Sequence, residues 1–275
     1  MPSQGQLLHK AFEQANLPLT ITATAREFAW GARDSTSFLM DIRNTKGLGK
    51  NEFKQKFVAY LGDGTDLQVT NVDPALHQLV LTVQEPVREI VTVRREWMMM
   101  ERRYIEHTDR QWTTGNLHCH LVGVDEGHLF FCELPNVVST VHQAHQLLRP
   151  KQLVNKPKTA FKRQGEWFLV PVPVSECAKI QEAATPVAPA PFEPWGRAVP
   201  NVQTHYRNTA LGVHIGRGPG RGHVADEIVV YGGREFARGK LQHPDHVPRH
   251  LKDWHEVLRN QEKTSNVLKH TNWMD

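Results

Sequence analysis

The sequence predicts a β-rich α+β fold, in which antiparallel strands and a few short helices lead to a histidine-rich C-terminal unit. Three observations carry this. Strand-like alternation between Gly, Pro and Asp punctuation recurs from residue 19 to 172, helical periodicity is confined to short stretches, and eight of the chain's 16 histidines fall after residue 200. At 275 residues the chain can bury a core without disulfide staples and suits one large or two modest domains. Its 33 basic and 29 acidic residues give a formal charge of +4, a bias that permits an anionic partner without requiring one.

Leu7, Leu8, Ala11, Phe12 and Ala15 recur at helical spacing after a capping Ser3, and Asn16-Leu17-Pro18 supplies the stop. Strands are expected over 19–23 and 37–42. The Lys46-Gly47-Leu48-Gly49-Lys50 stretch is a turn, because the Gly-Lys-Ser/Thr ending of a phosphate-binding loop is missing. Residues 57–61 and 67–72 read as a hairpin about Gly62-Asp63-Gly64, and 76–83 and 89–95 continue the strand series. Trp97 and three consecutive methionines, Met98 to Met100, read as core filling.

In the strand 116–122, the period of two puts His118 and His120 on one face. That face could share a metal, but a polar strand face is the expected reading. A further strand, 128–134, precedes a helix capped by Ser139 or Thr140 that turns Val141, Ala144, Leu147 and Leu148 inward and carries His142 and His145. Lys151, Lys156, Lys158, Lys162 and Arg163 then form a basic connection into Trp167-Phe168-Leu169-Val170, the plainest strand in the chain. Basic residues beside aromatics can grip nucleic acid through phosphates and stacked bases.

Prolines at 186, 189, 191, 194 and 200 favour extended chain. The expected division is therefore a β-rich domain over 1–182, a Pro-rich linker or excursion over 183–200, and a histidine-rich unit over 201–275 that could dock on the first. In that unit Arg217 and Arg221 sit in a Gly-rich loop suited to an anion, such as nucleic acid or another anionic ligand. A hairpin about Gly232-Gly233 delivers His243-Pro244-Asp245-His246 at a strand end. His243 and His246 can meet around one ion where the backbone turns at Pro244. Asp245 adds a hard ligand, and His223 or His255 would complete a zinc site or one for another divalent metal. The candidate metal ligands are thus His223, His243, Asp245 and His246; the candidate catalytic residues are His246 and His255. Metal-assisted hydrolysis, nuclease-like in form, is the leading expectation. A non-enzymatic nucleic-acid-binding or assembly module and a structural protein with packed histidines are the alternatives.

Asp245-His246-Val247-Pro248, then Asn260, then His270, resembles the order of the HNH nuclease ββα-metal site. The resemblance implies that Asp245 and His270 bind metal, His246 deprotonates water and Asn260 orients the loop. The residues 163–171 and the His243–His246 to Trp254–Val257 stretch also resemble segments of uncharacterised bacterial proteins. That likeness implies no activity, but it implies that strand and histidine turn share one fold unit, so that the Pro-rich stretch leaves and rejoins it. Three unevenly spaced cysteines suit a reducing cytoplasm, and no run of eighteen apolar residues marks a membrane span.

Overall fold

Ser3 opens the first helix, α1 (Gln4–Gln14), with a capping box: its hydroxyl accepts from the Gln6 backbone amide and the Gln6 side chain accepts from its own. Leu8, Ala11 and Phe12 face inward, and Asn16 adopts a positive φ of 54° that ends the helix. Leu7 departs from the expected inward face and is 51% exposed. The computed structural model describes residues 2–28, 37–45, 55–98, 103–112, 114–184, 204–211, 223–243 and 246–262, with backbone alone over 204–210. The Lys46–Lys50 stretch, Met99 and Met100, and all but the first two residues of the 183–200 stretch lie outside that set.

The chain divides into two units, residues 1–123 with 131–144, and residues 124–130 with 145–275. In the first unit, β1 (Leu19–Ile21) pairs in parallel with β3 (Gln55–Tyr60), and β2 (Leu39–Asn44) pairs antiparallel on the other side of β3. Phe12 meets Phe57 edge to face at 5.4 Å. The expected hairpin about Gly62-Asp63-Gly64 does not form. The strand after it, β4 (Asp66–Asp73), pairs with β5 (Gln78–Gln84) in another sheet. Positive φ at Gly62 (77°) and Gly64 (69°) steers the chain between sheets; at Gly62 a Cβ would come within 2.7 Å of the Ser37 backbone.

That second sheet has the order β4-β5-β8-β9, with β8 (Leu117–Asp125) and β9 (His128–Glu133) forming a hairpin whose tip, 124–130, belongs to the second unit. β5 is buried on both faces from Leu79 to Val83, so it reads as an apolar run broken only by Thr82. A separate two-stranded ribbon is made by β6 (Glu89–Met98) and β7 (Arg103–Trp112). The helix α2 (Val141–Leu148) starts as expected, with the Thr140 hydroxyl accepting from the Gln143 amide, and buries Val141, Ala144 and Leu148.

The second unit is built on one six-stranded antiparallel sheet of order β10-β11-β15-β14-β13-β12. Its strands are β10 (Lys162–Gln164), β11 (Trp167–Pro171), β12 (Thr204–Ala210), β13 (Val224–Tyr231), β14 (Arg234–His243) and β15 (His246–Arg259). This changes the expected division at 183–200. β11 precedes the Pro-rich stretch and β15 follows it, yet the two are hydrogen-bonded neighbours, so ladder pairing joins both sides into one sheet. Trp167, Leu169, Ile228, Leu241 and Leu251 pack on one core, while Val172, Ile180, Phe236 and Trp254 pack on another that includes α3 (Val174–Ala183). Burying each large apolar side chain contributes roughly 1.5–3 kcal/mol, so these two layers hold the sheet against its chain entropy.

Among the described residues no helix is long and apolar enough to cross a membrane. None of the three cysteines is in a disulfide.

Candidate metal centre

Three histidines from separate places in the second unit converge. His223 stands one residue before β13, His243 ends β14 and His246 begins β15. The Gly232-Gly233 turn joins β13 to β14 as the sequence predicts, and the two-residue Pro244-Asp245 connection sets His243 directly opposite His246 across the β14–β15 pair. His223 is held by its own backbone, whose carbonyl accepts from the Leu211 amide at 2.7 Å. The ring centroids are 4.3 Å apart for His223 and His243, 5.1 Å for His223 and His246, and 5.0 Å for His243 and His246.

All three side chains are buried, and one ring nitrogen from each lies within 4.8 Å of the others, close enough to hold a metal ion. A tetrahedral ion with nitrogen bonds near 2.1 Å separates its ligands by roughly 3.4 Å, a contraction that small side-chain rotations supply.

A carboxylate orients the His246 ring from behind, and a second lies farther from His223. His246 Nδ1 is 3.1 Å from Glu126 Oε2, and the other carboxylate oxygen accepts from Arg249 Nη2 at 2.7 Å. His223 Nδ1 is 4.0 Å from Glu166 Oε2. A carboxylate on Nδ1 favours the tautomer that leaves Nε2 as the metal-binding atom. Both Nε2 atoms face the β10–β11 turn, where Gly165 has φ +55° and a Cβ would sit 2.9 Å from His246 Nε2 and 3.2 Å from His223 Nε2. Only glycine suits that place, for backbone conformation and for space.

The Asp125 and Glu126 tip is tied to this turn through Arg163, which donates to Asp125 Oδ2 at 3.0 Å and to the Gly165 carbonyl at 2.8 Å. Gln164, itself buried, donates from Nε2 to the Val247 carbonyl at 2.6 Å and so fastens the turn to the start of β15.

Comparison of the chain with models of protein families, with curated proteins and with solved structures gives no match in any of the three. The site is therefore read from its own chemistry.

Of the residues singled out by sequence, His223, His243 and His246 come together. Asp245, Arg217, Arg221 and His270 lie outside the described residues. His255 is not in the group: it lies on β15 opposite Ala237 and Pro171, with Nδ1 2.8 Å from the Asp253 carbonyl. Burial pushes its pKa down, as does the charge of Lys162, against the opposing pull of Asp253. Asn260 donates its backbone amide to the Glu166 carbonyl at 2.8 Å, just past the end of β15. In the HNH order His246 would be the base, but here its nitrogen belongs to the set that could ligate.

His118 and His120 do share a face, with ring centroids 6.2 Å apart. His118 pairs with Glu133 at 2.9 Å and His120 stacks on Phe131 at 4.5 Å. Of the basic connection, Arg163 is used internally as described and Lys162 lies 3.5 Å from the His250 carbonyl, while Lys151, Lys156 and Lys158 are exposed.

Sequence reasoning missed Glu126, Glu166 and Gly165. Gly165 carried a signal as the glycine of a turn between two strand-like stretches. Glu126 carried only its place in the Asp125-Glu126-Gly127 turn, with nothing to say which histidine it would meet.

Proposed function

We propose that this protein holds one transition-metal ion, zinc, on His223, His243 and His246 and uses it in hydrolysis. The observation that carries the reading is the convergence of three buried imidazole nitrogens within 4.8 Å, two of the rings having a carboxylate behind Nδ1. Nitrogen ligands without thiolate suit zinc among the common ions, and hard oxygen-seeking cations are disfavoured. His223, His243 and His246 would hold the ion, which would supply Lewis-acid chemistry and an activated water at neutral pH. A phosphodiester substrate is the finer form of this reading, supported by the exposed lysines before β10 and by Arg217 and Arg221 in the Gly-rich sequence.

A second reading is favoured by burial. His223, His243 and His246 are 1%, 5% and 8% exposed, which suits a structural ion that locks the β10–β11 turn, the start of β13 and the β14–β15 hairpin together.

Elemental analysis of protein purified without chelator tests the first claim, with about one zinc per chain expected. Absence of metal, together with failure to take up added zinc, would sink both readings. X-ray absorption at the zinc edge then separates them. Three nitrogens and a water oxygen keep hydrolysis in play, whereas a fourth protein ligand, for which Asp245 is placed by sequence, assigns a structural ion.

A further inference from the structure

The β6–β7 ribbon is ten residues long on each strand, and among the described residues no third strand joins it. A lone two-stranded ribbon is at best marginally stable in water, so its faces call for cover. Its register puts Glu89 opposite Trp112, Val91 opposite Arg110, Val93 opposite Thr108, Arg95 opposite Glu106 and Trp97 opposite Tyr104, all on one face. The exposed large hydrophobics described on these strands are Val91 (49%), Val93 (54%), Trp97 (49%), Tyr104 (65%) and Trp112 (68%), and every one of them is on that face. The other face sets ion pairs, Arg94 on Asp109 at 2.7 Å and His107 by Glu96 at 3.1 Å, beside the half-buried Met98 and Ile105. One-sided clustering of this kind is what a half-buried sheet shows once its partner is in place.

The charges say which partner fits. On the apolar face Arg95 pairs with Glu106 at 2.8 Å and Arg110 with Glu89 at 3.3 Å, so its formal charges cancel and leave no cationic stripe for phosphates. The order of the layers is also complementary to itself. Consider a two-fold axis lying across the strands at the Val93 and Thr108 layer. It stacks a second ribbon face to face, β6 over β6 and β7 over β7, with strand directions reversed. Val93 then meets Val93 of the copy, Thr108 meets Thr108, Trp112 meets Tyr104, Arg110 meets Glu106, and Val91 lies on the aliphatic stem of Arg95. On β7 aromatic falls on aromatic and each charge on its opposite, while on β6 the Trp97 ring lies over Glu89.

We propose that this ribbon face is a homodimer interface in which two copies of the chain pack by that antiparallel, two-fold stacking. Five half-exposed large side chains bring on the order of 100 Å² each, so about 1,000 Å² is buried in all. That is the lower end for a specific interface and predicts a dimer that dissociates on dilution.

Sedimentation velocity of the full-length chain across about a hundredfold concentration range from the micromolar upward tests this. A monomer-to-dimer transition is expected, and Val93→Glu, which sets two like charges against each other at the axis, should leave a monomer throughout with an unchanged far-ultraviolet circular dichroism spectrum. A wild-type chain monomeric throughout, or a dimer that survives Val93→Glu, overturns the proposal. Should Val93→Glu fail to fold, Val93→Cys in a chain with Cys177→Ser still decides. A short bis-maleimide should join two copies through position 93 efficiently, and at least tenfold less well through position 91 in the matching Val91→Cys chain, because position 91 faces position 95 of the copy. Equal cross-linking at both positions overturns the register, and none at position 93 overturns the dimer. A wild-type chain that stays monomeric but floats with neutral phosphatidylcholine vesicles would assign the face to lipid and overturn it as well.

Discussion

The protein holds two groups of histidines on strands, and only one of them has the shape of a metal centre. His118 and His120 are two apart on β8, so their rings lie parallel at 6.2 Å, a spacing set by the rise of a strand. Residues so placed stack side by side, and each of these finds a neighbour on β9, Glu133 for one and Phe131 for the other. His243 and His246 instead face each other across a two-residue connection, where paired Cα atoms approach within about 5 Å, and His223 enters from a third segment. Among the described residues, groups of three or more potential ligands occur only there. Alternation along one strand makes a packed pair, whereas a hairpin pair plus a third segment makes a chelating set.

The largest expected difference between the two groups is in metal content. His243→Ala with His246→Ala should abolish binding and lower the melting temperature of metal-loaded protein, because a bound ion stabilises only the folded state. His118→Ala with His120→Ala should leave about one ion per chain, by plasma mass spectrometry on both. If the β8 pair governs metal content instead, the comparison is inverted.

The supporting carboxylates should differ in the same sense. Glu126→Gln keeps the shape but weakens the hold on His246 Nδ1, and a 10–100-fold loss in zinc affinity is expected from competition with a chromogenic chelator. Glu133→Gln, whose partner His118 lies outside the centre, should leave affinity unchanged.

Gly165→Ala tests the close approach of the β10–β11 turn. Its positive φ and the 2.9 Å contact with His246 Nε2 predict a loss of about 1–3 kcal/mol in chemical denaturation, even without metal. Gly127→Ala, at φ +90° with nothing near its Cβ, meets only the backbone cost and should lose less.

The smallest effect separates His255 from the centre. Its folded pKa lies below the ordinary histidine value near 6.5, chiefly through burial. Its contribution to stability is therefore complete above about pH 6.5 and is lost as pH falls toward the folded pKa, because the unfolded chain takes up the proton first. In the metal-free His243→Ala, His246→Ala background, denaturant titrations from pH 8 to 5 should show stability falling on acidification. Adding His255→Gln should flatten that slope. An unchanged slope would mean that His255 titrates alike in both states.

What the sequence determined by itself is local. Ser3 and Thr140 start helices because a side-chain oxygen satisfies a free amide within three residues. The Gly232-Gly233 turn closes a hairpin because positive-φ residues suffice, and the β-rich fold and the facing of His243 and His246, with two residues between them, follow from the same short-range rules. Gly62-Asp63-Gly64 shows their limit: the same turn chemistry serves to leave a sheet, and nothing within the turn says where the next strand finds its partner. Only the tertiary structure decided that β11 pairs with β15 across the Pro-rich stretch, that His223 is the third imidazole and His255 is not, and that Glu126 stands behind His246, 120 residues away in the chain. Those contacts depend on strand order, and strand order is chosen by burial of the whole sheet.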